Sequence, residues 1–556
     1  MSNGFNFQIL LSLVIKFIGK TLAGFFSRIE FLKPRIGQRG SLIFGSYGDQ
    51  NIGKMLIEKN FVFANVKLDV ETDTPWKIQL FSREVERAIN GLDWLNDLSA
   101  LNGHQSREKT ALWIEKFPFD KVRKGIFPAT DRLRSISKNF LFLKSALNKE
   151  LRKKIENILK VDFLYIKTLR PFINDVFERL HLTQGLIISS YILDVKENKI
   201  SLYAKLFSRD LKQYLKEVEK GLIRNPQEIL DIYLMAMESQ LILSELKSKP
   251  IKQHLRLQRE STNQLATSIR HLQFNNGNLI SAHGGSVGRY KDFMINSNFT
   301  KNRNIINHNN VAGFDKIEGG RVSILIDTEI PRYGKKIRNA HAGFSSFELN
   351  FGKEPIFVNC GGGSRFGFKY RKYCQSSKAH NVLLVNHKSQ CSFARKFWGQ
   401  LSDYYIKSGP KKTSIERNKT LTRKSLELFH DAYAKDYGVN VGRKISADLS
   451  GGLVEGVDFL DLVDETRRDN LKEYNLSVHF HIHHKMKFRR NRDEILFDLQ
   501  SGHILSFSVE GAKINIEDSI HIDDFYEPHK TKKIVLENIY KKCGGEIKWT
   551  LKVVSA

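Results

Sequence analysis

Three histidines stand at alternate positions in the run HFHIH: His479, His481 and His483. On an extended strand all three would face one side. Imidazole both ligates metals and exchanges protons near neutral pH, so the run reads either as a metal cluster or as a hydrogen-bonded strand face. Arg224 and Asn225 precede Pro226, and proline is well tolerated in a first helical turn. At such a helix entrance the arginine fork could clamp a carboxylate, while the asparagine could polarise it or simply cap the helix. Asn276 and His283 belong to the stretch FNNGNLISAHGGSVG, whose glycines permit tight turns or close approach to a ligand. Tyr290 follows directly, and Tyr333 lies in a basic loop with Arg332, Lys335, Lys336 and Arg338.

These residues need a large scaffold. With 556 residues, two sizeable domains are expected, and 41% hydrophobic residues suit a globular chain rather than a disordered one. Lys and Arg number 89 against 60 Asp and Glu, a net charge of +29 that attracts polyanions at long range. Nucleic acid, anionic lipid and acidic polysaccharide all meet that description. No nucleic-acid module is recognisable, so a specific nucleic-acid partner is not expected. Cys360, Cys374, Cys391 and Cys543 form no C-x-x-C pair, which removes a zinc ribbon and a dense disulfide framework from consideration.

Residues 1–45 form a basic amphipathic segment. The run from Phe5 to Phe26 is interrupted by Lys16 and Lys20, and a mid-bilayer charge costs roughly 2.5–3.5 kcal/mol on insertion scales, so a spanning helix is not expected. Packing against the body and peripheral attachment to a membrane through residues 5–26 are both compatible with the pattern. Residues 46–305 read as helical. FVFANVKLDV (61–70) alternates like a small hairpin. Stripes then recur at Trp94, Leu95, Leu98 and Leu101, at Leu133, Ile136, Phe140, Leu143 and Leu147, and at Leu202, Leu206, Leu215 and Val218. Around Asn275 the helical period stops, and residues 306–556 carry short strand-sized runs bounded by turn residues. Among them are Val322–Ile326, Phe344–Phe351 and Leu476–His483. The fold class expected is α+β multidomain, helices first and an antiparallel β-sandwich second.

The segment RNAHAGFSSFELNFGKEPIFVNCGGG (338–363), followed by AHNVLLVN (379–386), resembles the C-terminal region of heparinase II/III-like proteins. LDWLNDL, GLIRNPQEILDIYL, the glycine-rich stretch, HDAYAKDYG, HFHIH and KKIVLENI continue the likeness in order over most of residues 55–550. The resemblance implies an incomplete α/α toroid packed on an antiparallel β-domain, with an acidic polysaccharide as substrate. It also implies a lyase that works by β-elimination, in which a base removes the proton beside a uronic carboxylate and an acid protonates the departing oxygen. The carboxylate must be neutralised to stabilise the developing enolate. A catalytically degenerate glycan-binding protein in cell-surface polysaccharide assembly or turnover is the alternative.

By that resemblance His341 is the first candidate for proton transfer, with Tyr290 or Tyr333 as the acid, Tyr290 being preferred. Arg224, Asn225, Asn276, His283 and Arg338 become candidates for substrate binding. His341, His380 and Asn359 occupy the places of a metal set, with zinc as the candidate cofactor; Asn359 stands where relatives place Asp, and Asn339 where some carry a second His. The HFHIH strand is read as structural. The resemblance places the protein in the cell envelope, at the periplasm or membrane surface, with the cytoplasm as the alternative.

Overall fold

In the computed structural model, residues 2–37, 48–69, 73–77, 82–119, 125–246, 248–286, 310–334, 339–395, 404–463, 473–523, 527–540 and 545–555 are described. The chain divides into two compact units, one of residues 1–216 and 231–265, the other of residues 217–230 and 266–556. The glycine-rich stretch from 275 therefore belongs with the strands, as do the residues around Arg224.

The first unit is helical, as the periodicity implied. Asp49 starts the helix Gln50–Ile57 by accepting the Asn51 amide at 2.7 Å. The expected hairpin is short: Phe61–Phe63 pairs with Val66–Leu68 through Ala64 and Asn65, both in the left-handed region. It packs on a cluster formed by Trp76, Trp94, Trp113 and Phe117. The stripe from Leu133 to Leu147 is buried throughout, but it is not one helix. Ile126–Lys138 ends at Asn139 and Phe140–Ala146 follows, because the Asn139 amide turns back to Ser135 O and reaches across to Asn96. In the helix Glu197–Glu219 the buried face is offset from the expected one. Tyr203, Phe207, Leu211 and Tyr214 carry it, Leu202 is exposed, and the aromatic rings outweigh a leucine count. Buried carboxylates in this unit are matched by cations, as in the two-pronged Arg132–Asp162 pair at 2.7 and 2.9 Å.

The first helix, Ser2–Phe26, lies against this same unit. Lys16 pairs with Glu178 at 2.6 Å, and a Cβ at Gly19 would fall 2.5 Å from Phe172, so that face is in close contact. Its other face leaves Leu11, Val14, Phe17, Ile18, Leu22, Phe25 and Phe26 exposed. Among the described residues no helix is long and apolar enough to cross a membrane.

The second unit is antiparallel β. A five-stranded meander runs Asn310–Val311, Phe314–Gly319, Val322–Asp327, Phe347–Phe351 and Glu354–Phe357. A four-stranded sheet orders Lys513–His521, His529–Tyr540, Tyr474–His481 and Leu383–Val385, and an eight-stranded sheet extends from Thr413–Lys419 to Lys487–Asn491. The sheets share one core, in which Phe347 of the meander stacks on Trp549 of the large sheet with ring centroids 5.6 Å apart. The strand expected from Phe344 begins only at Phe347, because Ser345 has a φ of 65°, outside extended geometry.

Two polar residues tie the sheets together from inside. The Arg443 guanidinium meets Asp458 at 2.7 Å and donates to Ser345 O at 2.8 Å. Asn381 donates to Phe347 O and Val358 O and accepts the His481 amide at 2.6 Å, binding two strands and the residue just past a third through one side chain. Satisfied in this way, the Asn381 side chain fixes register rather than weakening the core.

Candidate functional site

The strand Val322–Asp327 is buried along its whole length and ends in a carboxylate. Asp327 accepts from the Arg224 guanidinium on one oxygen and from His283 Nε2 on the other, the latter at 3.0 Å. Burial alone would raise this carboxyl, but Arg224 and His283 outweigh it and hold it below the ordinary value. Arg224 also donates to Glu329 O at 2.7 Å and lies 3.4 Å from the carbonyls of Ala312 and Gly313. Gly313 has a φ of 81°, and a Cβ there would fall 2.6 Å from Arg224 Nε, so only glycine lets the guanidinium in.

His283 passes the connection onward. Its Nδ1 accepts the backbone amide of His341 at 3.1 Å, so Nε2 carries the proton given to Asp327. Burial and then Arg224 lower its pKa, so the ring is neutral. His341 is 3% exposed. Its ring centroid lies 6.1 Å from that of His283 and 5.3 Å from that of His380, and its Nδ1 is buried with no hydrogen-bond partner among the described residues. Burial, then His380 and His283, push it well below the usual imidazole value. His380 is lowered to about 4, chiefly by burial; its Nε2 lies 3.1 Å from Cys374 O and its Nδ1 3.1 Å from Asn359 Oδ1. Asn359 in turn gives its backbone amide to Glu348 at 2.9 Å, and Ser281 adds a second at 3.2 Å. Glu348, the acid of the F-E-L run, is pushed by burial from 4.5 to about 7.

A buried polar chain thus runs from Arg224 through Asp327, His283, His341, His380 and Asn359 to Glu348, all within the second unit. It unites five of the residues singled out from sequence: Arg224, His283, His341, His380 and Asn359. Asn225 is an N-cap, accepting the amides of Gln227 and Glu228 at 3.0 and 3.2 Å. Asn276 closes a turn, accepting the Asn278 amide and donating to Lys353 O. Tyr333 gives its hydroxyl to Pro410 O and packs with Ala340, Ala342, Cys391 and Ile406, and burial raises its pKa. Tyr290 and Arg338 lie outside the described residues. Asp327 and Glu348 were not singled out, although an acid closing an apolar strand signals a buried partner.

His341, His380 and Asn359 do not suit a zinc ion. Two neutral imidazoles and a neutral amide supply no negative charge; of the carboxylates beside them, Asp327 is committed to Arg224 and His283, and Glu348 to the amides of Asn359 and Ser281. Arg371 adds a further cation within electrostatic reach of His341. A buried dication needs an anion that this set lacks.

Comparison with known proteins places this geometry in context. Residues 303–550 match the family described as "Heparinase II/III-like, C-terminal". Heparinase III superimposes with a TM-score of 0.69 over 97% of the chain and 89% of that protein at 9% identity. Heparan sulfate lyase HepC from Pedobacter heparinus gives 0.54 over 98% and 88% at 12% identity. These likenesses are of fold. A curated relative, FtsZ-localized protein C of Caulobacter vibrioides (strain NA1000 / CB15N), is 22% identical over 302 residues. That match takes in 52% of this chain and 50% of the relative, so the chain spans about half the length of the curated relative it matches.

The Glu348 shift has a measurable consequence. A carboxyl whose folded pKa lies above its unfolded value gives stability that is present below pH 4.5 and is lost as pH rises to about 7. That difference is worth on the order of 3 kcal/mol. Glu348→Gln keeps an acceptor for both amides, so its denaturation midpoint should not show this fall between pH 4.5 and 7. An unchanged slope in the variant would assign the pH dependence to other groups.

Proposed function

The chain belongs to the heparinase II/III-like family, and on that premise we propose that it binds acidic, uronate-containing polysaccharide at the cell envelope without cleaving it. The observation that carries this reading is the state of Arg224. A lyase must bring a cation or strong donors to the uronate carboxylate as the enolate forms. Arg224 spends its charge on Asp327 and its remaining donors on backbone carbonyls, and Tyr333 has given its hydroxyl to Pro410 O. Binding needs less: a surplus of +29 concentrates polyanions at the surface whether or not a reaction follows.

Lyase activity on the same glycans is the second reading. It is favoured by His341 Nδ1, which has no hydrogen-bond partner among the described residues and could accept a proton. One experiment separates the two. Purified protein is offered alginate, polygalacturonate and heparan sulfate, following both binding and the ultraviolet absorbance of an unsaturated uronate product. The expected outcome is association that weakens steeply with salt, with no rise in absorbance. A rise that disappears in His341→Ala establishes the lyase instead.

An envelope location is supported by the first helix, whose outward face presents Phe17 at 71% and Phe25 at 64% exposure. The partner proposed for that face is an anionic membrane surface, because an apolar stripe on a basic chain is what an interfacial helix offers. In flotation with phosphatidylglycerol vesicles the wild type should rise with the lipid. Each buried phenyl ring contributes about 2 kcal/mol, so Phe17→Asp with Phe25→Asp should stay behind while unfolding at the same temperature. Flotation of the double variant would dismiss the membrane as partner.

A further inference from the structure

The strand Tyr474–His481 carries two of the three alternating histidines. His479 and His481 are buried on it, and His481 is held by Ser519 Oγ at 2.7 Å and Lys378 O at 3.0 Å. The third, His483, lies beyond the strand end, where a different group of imidazoles gathers. His521 and His529 face each other across the hairpin of Lys513–His521 and His529–Tyr540. The segment carrying His483 and His484 is fastened alongside, since Ile482 N donates to Lys532 O and Thr531 donates to Ile482 O. Among the described residues only two groups of three candidate ligands come within 4.8 Å of one another, and His484 belongs to both.

We propose that His484, Asp523 and His529 bind one divalent transition-metal ion of the zinc class, with His521 fixing the His484 ring from behind. The ligand spacing supports this. Donors about 2.0–2.2 Å from a tetrahedral ion lie roughly 3.3–3.5 Å apart. Asp523 Oδ1 stands 3.4 Å from His529 Nε2, within that range, while Oδ2 stands 3.9 Å from His484 Nε2 and must draw closer on binding. The two rings lie parallel, 7° apart with centroids 4.0 Å apart, both beside the one carboxylate, and a shared ion requires them to turn until their in-plane Nε2 lone pairs converge on it. His484 Nε2 is buried and has no hydrogen-bond partner among the described residues, a cost that a metal bond removes.

The outer contacts agree with that role. A ligating imidazole is normally oriented by a hydrogen bond at its other nitrogen, and His484 Nδ1 lies 2.8 Å from His521 Nδ1. Arg365 grips the backbone carbonyl of Asp523, which fixes the carboxylate donor in place. Unlike the set at His341, His380 and Asn359, this one contains an anion. Three protein ligands leave the fourth tetrahedral position to water, and the ion would staple the hairpin end to the neighbouring segment.

The test uses the full chain, stripped with a chelator and titrated with zinc by calorimetry, then with cobalt(II) to read tetrahedral coordination from its visible absorption. The expected result is one ion per chain. Affinity should fall at least tenfold in His529→Gln, whose side chain is 31% exposed and therefore a mild change, and in Asp523→Asn. It should be unaltered in His380→Gln. Circular dichroism confirms that each variant is folded. No zinc uptake by the stripped wild type, uptake undiminished in both His529→Gln and Asp523→Asn, or uptake lost in His380→Gln would each overturn the assignment.

Discussion

A single carboxylate, Asp327, sets the arrangement of the candidate site. It ends a strand with no exposed residue, so its charge has to be met by protein groups rather than water. Arg224 meets it from the turn before one helix and His283 from the glycine-rich loop. Because His283 then accepts the His341 amide, the position of His341 is fixed through the same acid. Removing one partner of such a buried set leaves an uncompensated charge, which is why its members are interdependent.

The β unit gives this chain of contacts its rigidity. Arg443 and Asn381 hold strand and loop carbonyls beside the site, and Phe347, Phe480 and Trp549 pack around them. A cation in such a core is tolerable because Asp458 neutralises it and Trp549 Nε1 satisfies the second oxygen at 3.1 Å. The turn Cys360-Gly361-Gly362-Gly363 serves the same end. A Cβ at Gly362 would fall 2.4 Å from Gly284 O, so glycine there lets two backbones touch.

The fold class was legible because both periods are strong: helical stripes before residue 275 and short alternating runs after it. Among the strands that escaped, Thr413–Lys419 is exposed almost throughout, and in Leu453–Leu462 the buried face includes Gly456 and Asp458 while Val457 and Phe459 lie on the other, which erases the apolar alternation. The histidines and asparagine of the site were legible from their likeness to a family pattern. Their partners were not, since Asp327 and Glu348 are defined by what surrounds them in space. The HFHIH run shows the converse. Alternation placed three imidazoles on one face, yet the strand ends at His481, so the gathering formed at its end draws on His484, His521 and His529 instead.

The central claim is that Arg224 is a structural counter-charge to Asp327 and not a ligand-facing cation. Chemical denaturation of Asp327→Asn at neutral pH, run beside its binding of uronate glycan, addresses it most directly. A buried, unpaired guanidinium should cost about 3–5 kcal/mol of stability, with glycan affinity of the folded fraction unchanged. Unchanged stability together with weakened glycan binding would mean that Arg224 serves the ligand, and the account given for this site would fail.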